Sequence, residues 1–349
     1  MFIYQEVKHS DQANTSSYLY KVFAVAPMLD WSDRHYRFFA RLLSKNALLY
    51  TEMIVADAIL KGNKQRLLSF SPQEHPLALQ IGGANPVTLA TAAKIGEEFG
   101  YDEINLNVGC PSNKVQSGSF GACLMLLPEH IMECVYAIKK VVSIPVTIKC
   151  RIGVDDQVPE LALRNLIKSV KAASVDAVWI HARKAFLKGL SPSENRKVPP
   201  LNYEIIYEIK RENPDLFIGL NGGLKNVQHT LQVLPHVDGV MLGRASYQNS
   251  TILTSVDQYF INPLTGSHPV IGEALDKNFW DEVCTSMISY ASQHLNTGGQ
   301  LRQVVRHMLG LFQGFPGVQR YRRILGVEAI KPEVMPTIIK DAFNSILSD

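Results

Sequence analysis

A chain of 349 residues, 46% hydrophobic and 19% charged, has an ordinary globular composition and is long enough for one large domain with a smaller one beside it. No apolar run reaches the length of a membrane span, and the polar stretch from Met1 to Tyr20 lacks a signal-peptide core, so a cytosolic protein with reduced thiols is expected. A net charge of +3 is too small to establish a polyanionic partner, and any such partner must be argued from where the charges fall.

The first apolar run, Val22 to Ala26, ends at Pro27-Met28-Leu29-Asp30, and a helical pattern starts near Asp33. Leu48 to Met53 reads as a second strand and Leu77 to Ile81 as a third. Asn85-Pro86 then opens a helix that Gly100 closes. The fourth strand, Ile104 to Val108, alternates apolar and polar residues and runs into Gly109-Cys110-Pro111. Helices are expected from Pro128 to Val142 and from Pro159 to Ala173, on either side of a fifth strand, Val146 to Lys149. Asp176 to His181, Phe217 to Asn221 and Val237 to Leu242 supply the sixth to eighth strands, with Leu201 to Arg211 and Val227 to Leu234 helical between them. Eight short apolar strands alternating with helices predict an α/β fold, a (β/α)8 TIM barrel. An open doubly wound sheet is the weaker reading, because no GxGxxG follows the first strand. After Tyr259 the pattern changes. Asn262 to Gly266 reads as a linker, and Phe279 to Leu295, Leu301 to Phe312 and Pro336 to Leu347 read as helices. The expected division is a tail over 1–21, a barrel over 22–262 and a helical domain over 263–349.

Barrel sites form at the C-terminal ends of the strands, so what each strand ends with is informative. Those ends carry Pro27-Met28, Glu52, Gln80, Asn107 with Cys110, Lys149 with Arg151, His181 with Arg183, Asn221-Gly222-Gly223 and Gly243-Arg244. The last two offer bare backbone N–H groups and a guanidinium, an arrangement suited to a phosphate. Lys149, facing the mouth, needs an anionic partner or serves Schiff-base chemistry. Gln80 matches an amide-like ring edge. Together with His181 and the phosphate loops, these residues suggest flavin mononucleotide (FMN). Cys110 is framed by Asn107, Gly109 and Pro111 where a strand gives way to a loop, whereas Cys123, Cys134, Cys150 and Cys284 sit in apolar or helical contexts without CxxC spacing. No metal site or disulfide framework is indicated.

These residues resemble the tRNA-dihydrouridine synthase family, and its A subfamily in particular, over nearly the whole chain. The matching motifs are Val25-Ala26-Pro27-Met28-Leu29-Asp30-Trp31, Leu79-Gln80-Ile81-Gly82-Gly83, Asn107-Val108-Gly109-Cys110-Pro111, Ile148-Lys149, His181-Ala182-Arg183-Lys184, Asn221-Gly222-Gly223 and Leu242-Gly243-Arg244. Gly189 to Pro192 with Asn195-Arg196, and His307 to Phe312, carry the subfamily likeness. The resemblance implies reduction of specific uridines in the tRNA D-loop by FMN that NADPH, or NADH, recharges. It implies that Pro27, Met28 and Leu29 meet FMN through backbone, that Gln80 and Lys149 hold its ring, and that His181, Asn221, Gly222, Gly223, Gly243 and Arg244 bind its ribityl phosphate. Hydride goes to uracil C6, Asn107 helps hold the base, and Cys110 is the acid that protonates C5. An unperturbed thiol is mostly protonated near neutral pH and can supply that proton.

For tRNA, Arg151, Arg183, Lys184, Asn195 and Arg196 are expected around the mouth. Arg302 and Arg306 are expected on the helical appendage, where Val283 to Val327 contains no Asp or Glu. His307, Phe312, Phe315 and Tyr321 in that span are candidates for base stacking. A monomer is expected. The competing readings are an FMN-dependent reductase of a free pyrimidine or other small substrate, a Schiff-base aldolase built on Lys149, and an RNA-binding protein that has lost catalysis.

Overall fold

The computed structural model describes residues 21–112, 115–116, 118–265 and 277–347. Of the expected N-terminal tail only Lys21 falls among them, and the end of the expected linker, Gly266, does not.

Eight parallel strands close on themselves: β1 (Val22–Val25), β2 (Leu48–Tyr50), β3 (Leu77–Gly82), β4 (Glu103–Asn107), β5 (Val146–Arg151), β6 (Ala177–His181), β7 (Phe217–Asn221) and β8 (Gly239–Leu242). Each pairs with the next. β1 pairs with β8 as well as β2, and this closes the barrel. The second strand is shorter than expected. It breaks after Tyr50, and the chain returns to the sheet as a two-residue piece, Ile54–Val55, against the end of β3. The break is fixed by Thr51, whose N–H donates to Ala78 O at 3.0 Å and whose hydroxyl oxygen accepts from Gln80 N–H.

The period of two along each strand sorts the side chains into two layers. Residues facing outward, such as Phe23, Leu79, Ile104, Leu106, Ile148 and Val240, join the helices in one continuous apolar layer. The inward layer is half apolar, with Val22, Ala24, Leu48, Tyr50, Ala78, Ala177, Trp179, Phe217 and Met241 in contact. The other half is polar: Glu103, Asn105 and Asn107 alternate along β4, all buried.

Helix starts follow their expected caps. Asp33 Oδ1 accepts from the N–H groups of His35 and Tyr36, and Asn85 Oδ1 accepts from Thr88 N–H with Pro86 in the first turn. From residue 263 onward the described residues contain helices and no strand. Trp280, Met287, Val304, Met308, Phe312 and Phe343 continue the outer apolar layer of the barrel without a break. The helix expected from Leu301 to Phe312 is α-helical only to Val305 and then tightens into 3₁₀ turns over Arg306–Gly310. Gly310 there lies so close to the Tyr247 carbonyl that a Cβ would sit 2.2 Å from it. Among the described residues no helix is long and apolar enough to cross a membrane.

Candidate active site

At the C-terminal mouth of the barrel, Cys110 is half-buried on the loop that follows β4. Three constraints hold this loop. Asn107 Oδ1 accepts from the N–H groups of Gly109 and Cys110 at 3.1 and 3.0 Å. Cys110 O accepts from Ala122 N–H at 2.9 Å. Gly109 lies flat on β5, where a Cβ would sit 3.1 Å from the Cys150 carbonyl carbon and crowd that strand's backbone. The thiol itself has Ser112 Oγ at 3.5 Å.

On the strands next to it stands a group of cations, with Lys149 level with Asn107. Lys149 Nζ donates to Asn221 Oδ1 at 3.1 Å, and burial, followed by the nearby Arg151 charge, pushes the ammonium down to about 8. Burial, then Arg151, Lys149, Arg183 and Arg244, hold His181 well below the usual imidazole range, so it is neutral at physiological pH. Among the described residues Lys149, Arg151, Arg183, Arg196 and Arg244 make no ion pair with a carboxylate. The arrangement fits an anionic ligand with a polar chain, as FMN has. His181 Nε2 is buried with no partner. Beside it Gly222, at φ 108°, leaves open the space where a Cβ would come within 2.9 Å of the imidazole. Gly223 at φ 73° continues that bare backbone, and Gly243 lies beside Ala26 and Met28 across the β1–β8 seam.

Several expected roles change when the contacts are followed. Arg151 is buried and donates to three carbonyls, Gly109 at 3.0 Å, Lys184 at 2.8 Å and Asn195 at 3.0 Å, so it ties the Cys110 loop to the loop after β6 and does not reach outward to RNA. Asn195 is fully buried, its side-chain amide bonded to the backbone of Phe186, Leu190 and Ser191 and its carbonyl to Arg151, so it shapes that loop from within. Met28 has its N–H donated to Ser32 Oγ and its carbonyl bonded to Trp31 and Ser32, while Pro27 has no N–H at all. Met28 therefore offers its side chain, and Leu29 stands 70% exposed above the rim. The Asn221 amide is bonded to Lys149 and Met241 O, and so positions the lysine in place of a phosphate. Asn107 has its oxygen bonded to the loop and one N–H to Gln80, which leaves one N–H for a base.

Arg183 donates to Pro199 O, and Lys184 lies over the Phe186 ring at 5.7 Å from its centroid. Arg196 is exposed, with its carbonyl accepting from Arg244. On the helical segment Arg302 and Arg306 are exposed and line an open cleft of about 470 Å³ with Gln303, Leu309, Leu325 and Ile330. Arg306 also pairs with Asp33 at 2.6 Å. The stacking role expected of His307, Phe312 and Tyr321 is corrected. All three are 0% exposed: the phase of their helical turns points His307 and Tyr321 inward, Phe312 sits in the turn after Gly310 at φ 57° with its ring against Trp280, Tyr321 and Phe343, and of the four only Phe315 is open to solvent, at 47%.

Sequence reading missed Asp33, Thr147 and Gln116. Asp33 caps a helix and also accepts from Arg306 and His307. Gln116 Nε2 donates to Pro111 O at 2.7 Å and Leu187 O at 2.9 Å, a second tie between the two loops. An Asp immediately before an amphipathic helix was the one available signal for the first, and nothing local marks the other two.

The model of the dihydrouridine synthase family matches residues 24–345. A tRNA-dihydrouridine(20/20a) synthase of Shewanella oneidensis is 49% identical over 96% of this chain and 97% of its own length. Proteins of the same name in Escherichia coli strain K12 and in Synechocystis are 48% and 45% identical, over 93% and 92% of this chain and 91% and 93% of their own. Among solved structures, a 2-naphthoyl-CoA reductase complex aligns with a TM-score of 0.51 at 10% identity, covering 69% of this chain and 51% of that one, a likeness of fold. The chain belongs to the dihydrouridine synthase family.

Proposed function

We propose that this protein reduces uridines of the tRNA D-loop to 5,6-dihydrouridine, at the 20/20a positions that its relatives' names carry. The observation that carries the reading is the half-buried Cys110 thiol held on a fixed loop beside Lys149 and Arg151, cations with no carboxylate partner among the described residues. FMN bound in the mouth supplies the hydride that uracil C6 takes up, and NADPH or NADH restores it. Cys110 holds at Sγ the proton that C5 acquires. Arg151, bonded to the Gly109 carbonyl next to Cys110, and Lys149, level with Asn107 on the neighbouring strand, place positive charge around the loop that carries the thiol. Gln80 and Lys149 would hold the FMN ring, and His181, Gly222, Gly223, Gly243 and Arg244 its phosphate arm.

Residues 22–262 would act as the catalytic barrel and 263–349 as the part that grips tRNA, through Arg302 and Arg306, with Lys184, Arg183 and Arg196 at the rim. A monomer in the cytoplasm is the proposed state, and five free cysteines suit that compartment. Mass mapping of dihydrouridine in tRNA tests the reading. A strain lacking this protein should lose the modification at 20 and 20a and regain it with the wild-type chain; full modification in its absence would overturn the assignment.

A further inference from the structure

We infer that a buried polar chain running up the inside of the barrel, anchored on Glu103 and passing through Thr147, positions Cys110 from below. Glu103 Oε1 accepts from the hydroxyls of Tyr50, at 2.6 Å, and Thr147. Thr147 Oγ1 accepts from Asn105 Nδ2 at 2.8 Å, and Asn105 Oδ1 accepts from Gln80 Nε2 at 2.7 Å. Gln80 Oε1 accepts from Asn107 Nδ2 at 2.8 Å, and Asn107 Oδ1 accepts from the Gly109 and Cys110 N–H groups. The register makes this possible. Asn105 lies level with Gln80 on one side and Thr147 on the other, with Glu103 and Asn107 one inward position below and above it.

The direction of the chain follows from its lowest member. The Thr147 hydroxyl donates its one hydrogen down to Glu103 Oε1, so its oxygen can only accept from above. Asn105 must therefore turn its NH₂ to Thr147 and its oxygen to Gln80. The same step repeats at Gln80 and again at Asn107. Its end result is that Asn107 presents oxygen, not NH₂, to the loop N–H groups that fix Cys110. A flipped Asn107 would put two donors face to face with two donors and release the loop. Thr147 and Glu103 touch neither cofactor nor base in this arrangement; they are positioning residues. The inference rests on Cys110 as the proton donor of the proposed reaction.

The test uses the FMN-loaded enzyme with Thr147→Val, Thr147→Ser and Glu103→Gln. Amide hydrogen exchange in the segment containing Gly109 and Cys110 should accelerate about tenfold or more in Thr147→Val, which cannot donate to Glu103, and stay at the wild-type rate in Thr147→Ser. Single-turnover transfer to tRNA should slow by roughly tenfold in Thr147→Val, with the KM for tRNA unchanged and the serine variant restored. Glu103→Gln keeps the volume and removes only the acceptor-only anchor, so it should move both readouts in the same direction by less. Wild-type exchange at Gly109 and Cys110 in both Thr147→Val and Glu103→Gln would overturn the positioning chain. Faster exchange with unchanged turnover would support the chain and contradict the assignment of Cys110 as acid.

Discussion

In the proposed reaction Cys110 and Lys149 divide the chemistry between them, one holding a proton and the other a charge, and single substitutions separate the two. Cys110→Ala should leave FMN bound and reducible by NADPH while dihydrouridine formation falls by about 100-fold or more, the range lost with a positioned acid. Turnover near wild type in a tRNA assay would remove Cys110 from that role. Lys149 is different, because burial has already pushed it down to about 8. Its charge opposes folding below that pH, and the penalty is relieved as pH rises from about 8 toward its ordinary value of 10.5. An anion in the mouth reverses the preference, since it binds the charged lysine. FMN affinity should therefore weaken roughly tenfold between pH 7 and pH 9 in the wild type. In Lys149→Met it should be lower by about tenfold or more and show a flatter profile. A titration of fluorescence quenching across that range checks both, and a parallel pH slope in the two proteins would assign the effect to another group.

The loops after β4 and β6 behave as one unit because Arg151 and Gln116 bond to the backbone of both. Arg151→Met should cost about 2–4 kcal/mol of stability, since three carbonyls, the Asn195 one buried, lose a charged donor, and denaturant unfolding measures it. It should also slow tRNA turnover while leaving the salt dependence of tRNA binding unchanged; a reduced salt slope would return Arg151 to the RNA surface. These elements show what the sequence could and could not disclose. The alternation of Glu103, Asn105 and Asn107 with Ile104 and Leu106 was readable as a strand, and the Gly-Cys-Pro break as its end. That Asn105 meets Thr147, 42 residues away, depends on the register of two strands, which no local pattern carries. Arg151 and Asn195 have residue types that suit RNA as well as they suit a backbone clamp, so type alone could not separate the roles. Likewise, arginines around buried Phe312 and Tyr321 mimic a stacking surface until the tertiary packing places both rings in the core.

Across the whole molecule, the helical segment is joined to the barrel mouth through Asp33, which receives Arg306 at 2.6 Å and His307 at 3.0 Å. A uridine inside a folded tRNA must be turned out to reach Cys110, at a cost of a few kcal/mol, and contacts far from the base have to offset that cost. An Arg302→Ala, Arg306→Ala double variant should raise the apparent KM for tRNA and flatten its salt dependence, with NADPH oxidation unaffected. An unchanged salt titration would move the RNA contact elsewhere. The eight strands and their order were legible because each is a short apolar run ending in polar or glycine residues. The packing of the appended helices was not, since it is set by side chains from Arg34–Leu43 and from the segment after β8. The central claim is tested most directly by incubating purified FMN-loaded protein with NADPH and an unmodified tRNA transcript, then mapping dihydrouridine by mass. The account predicts product at positions 20 and 20a and none from free uridine; reduction of free uridine with the transcript left unmodified would contradict it.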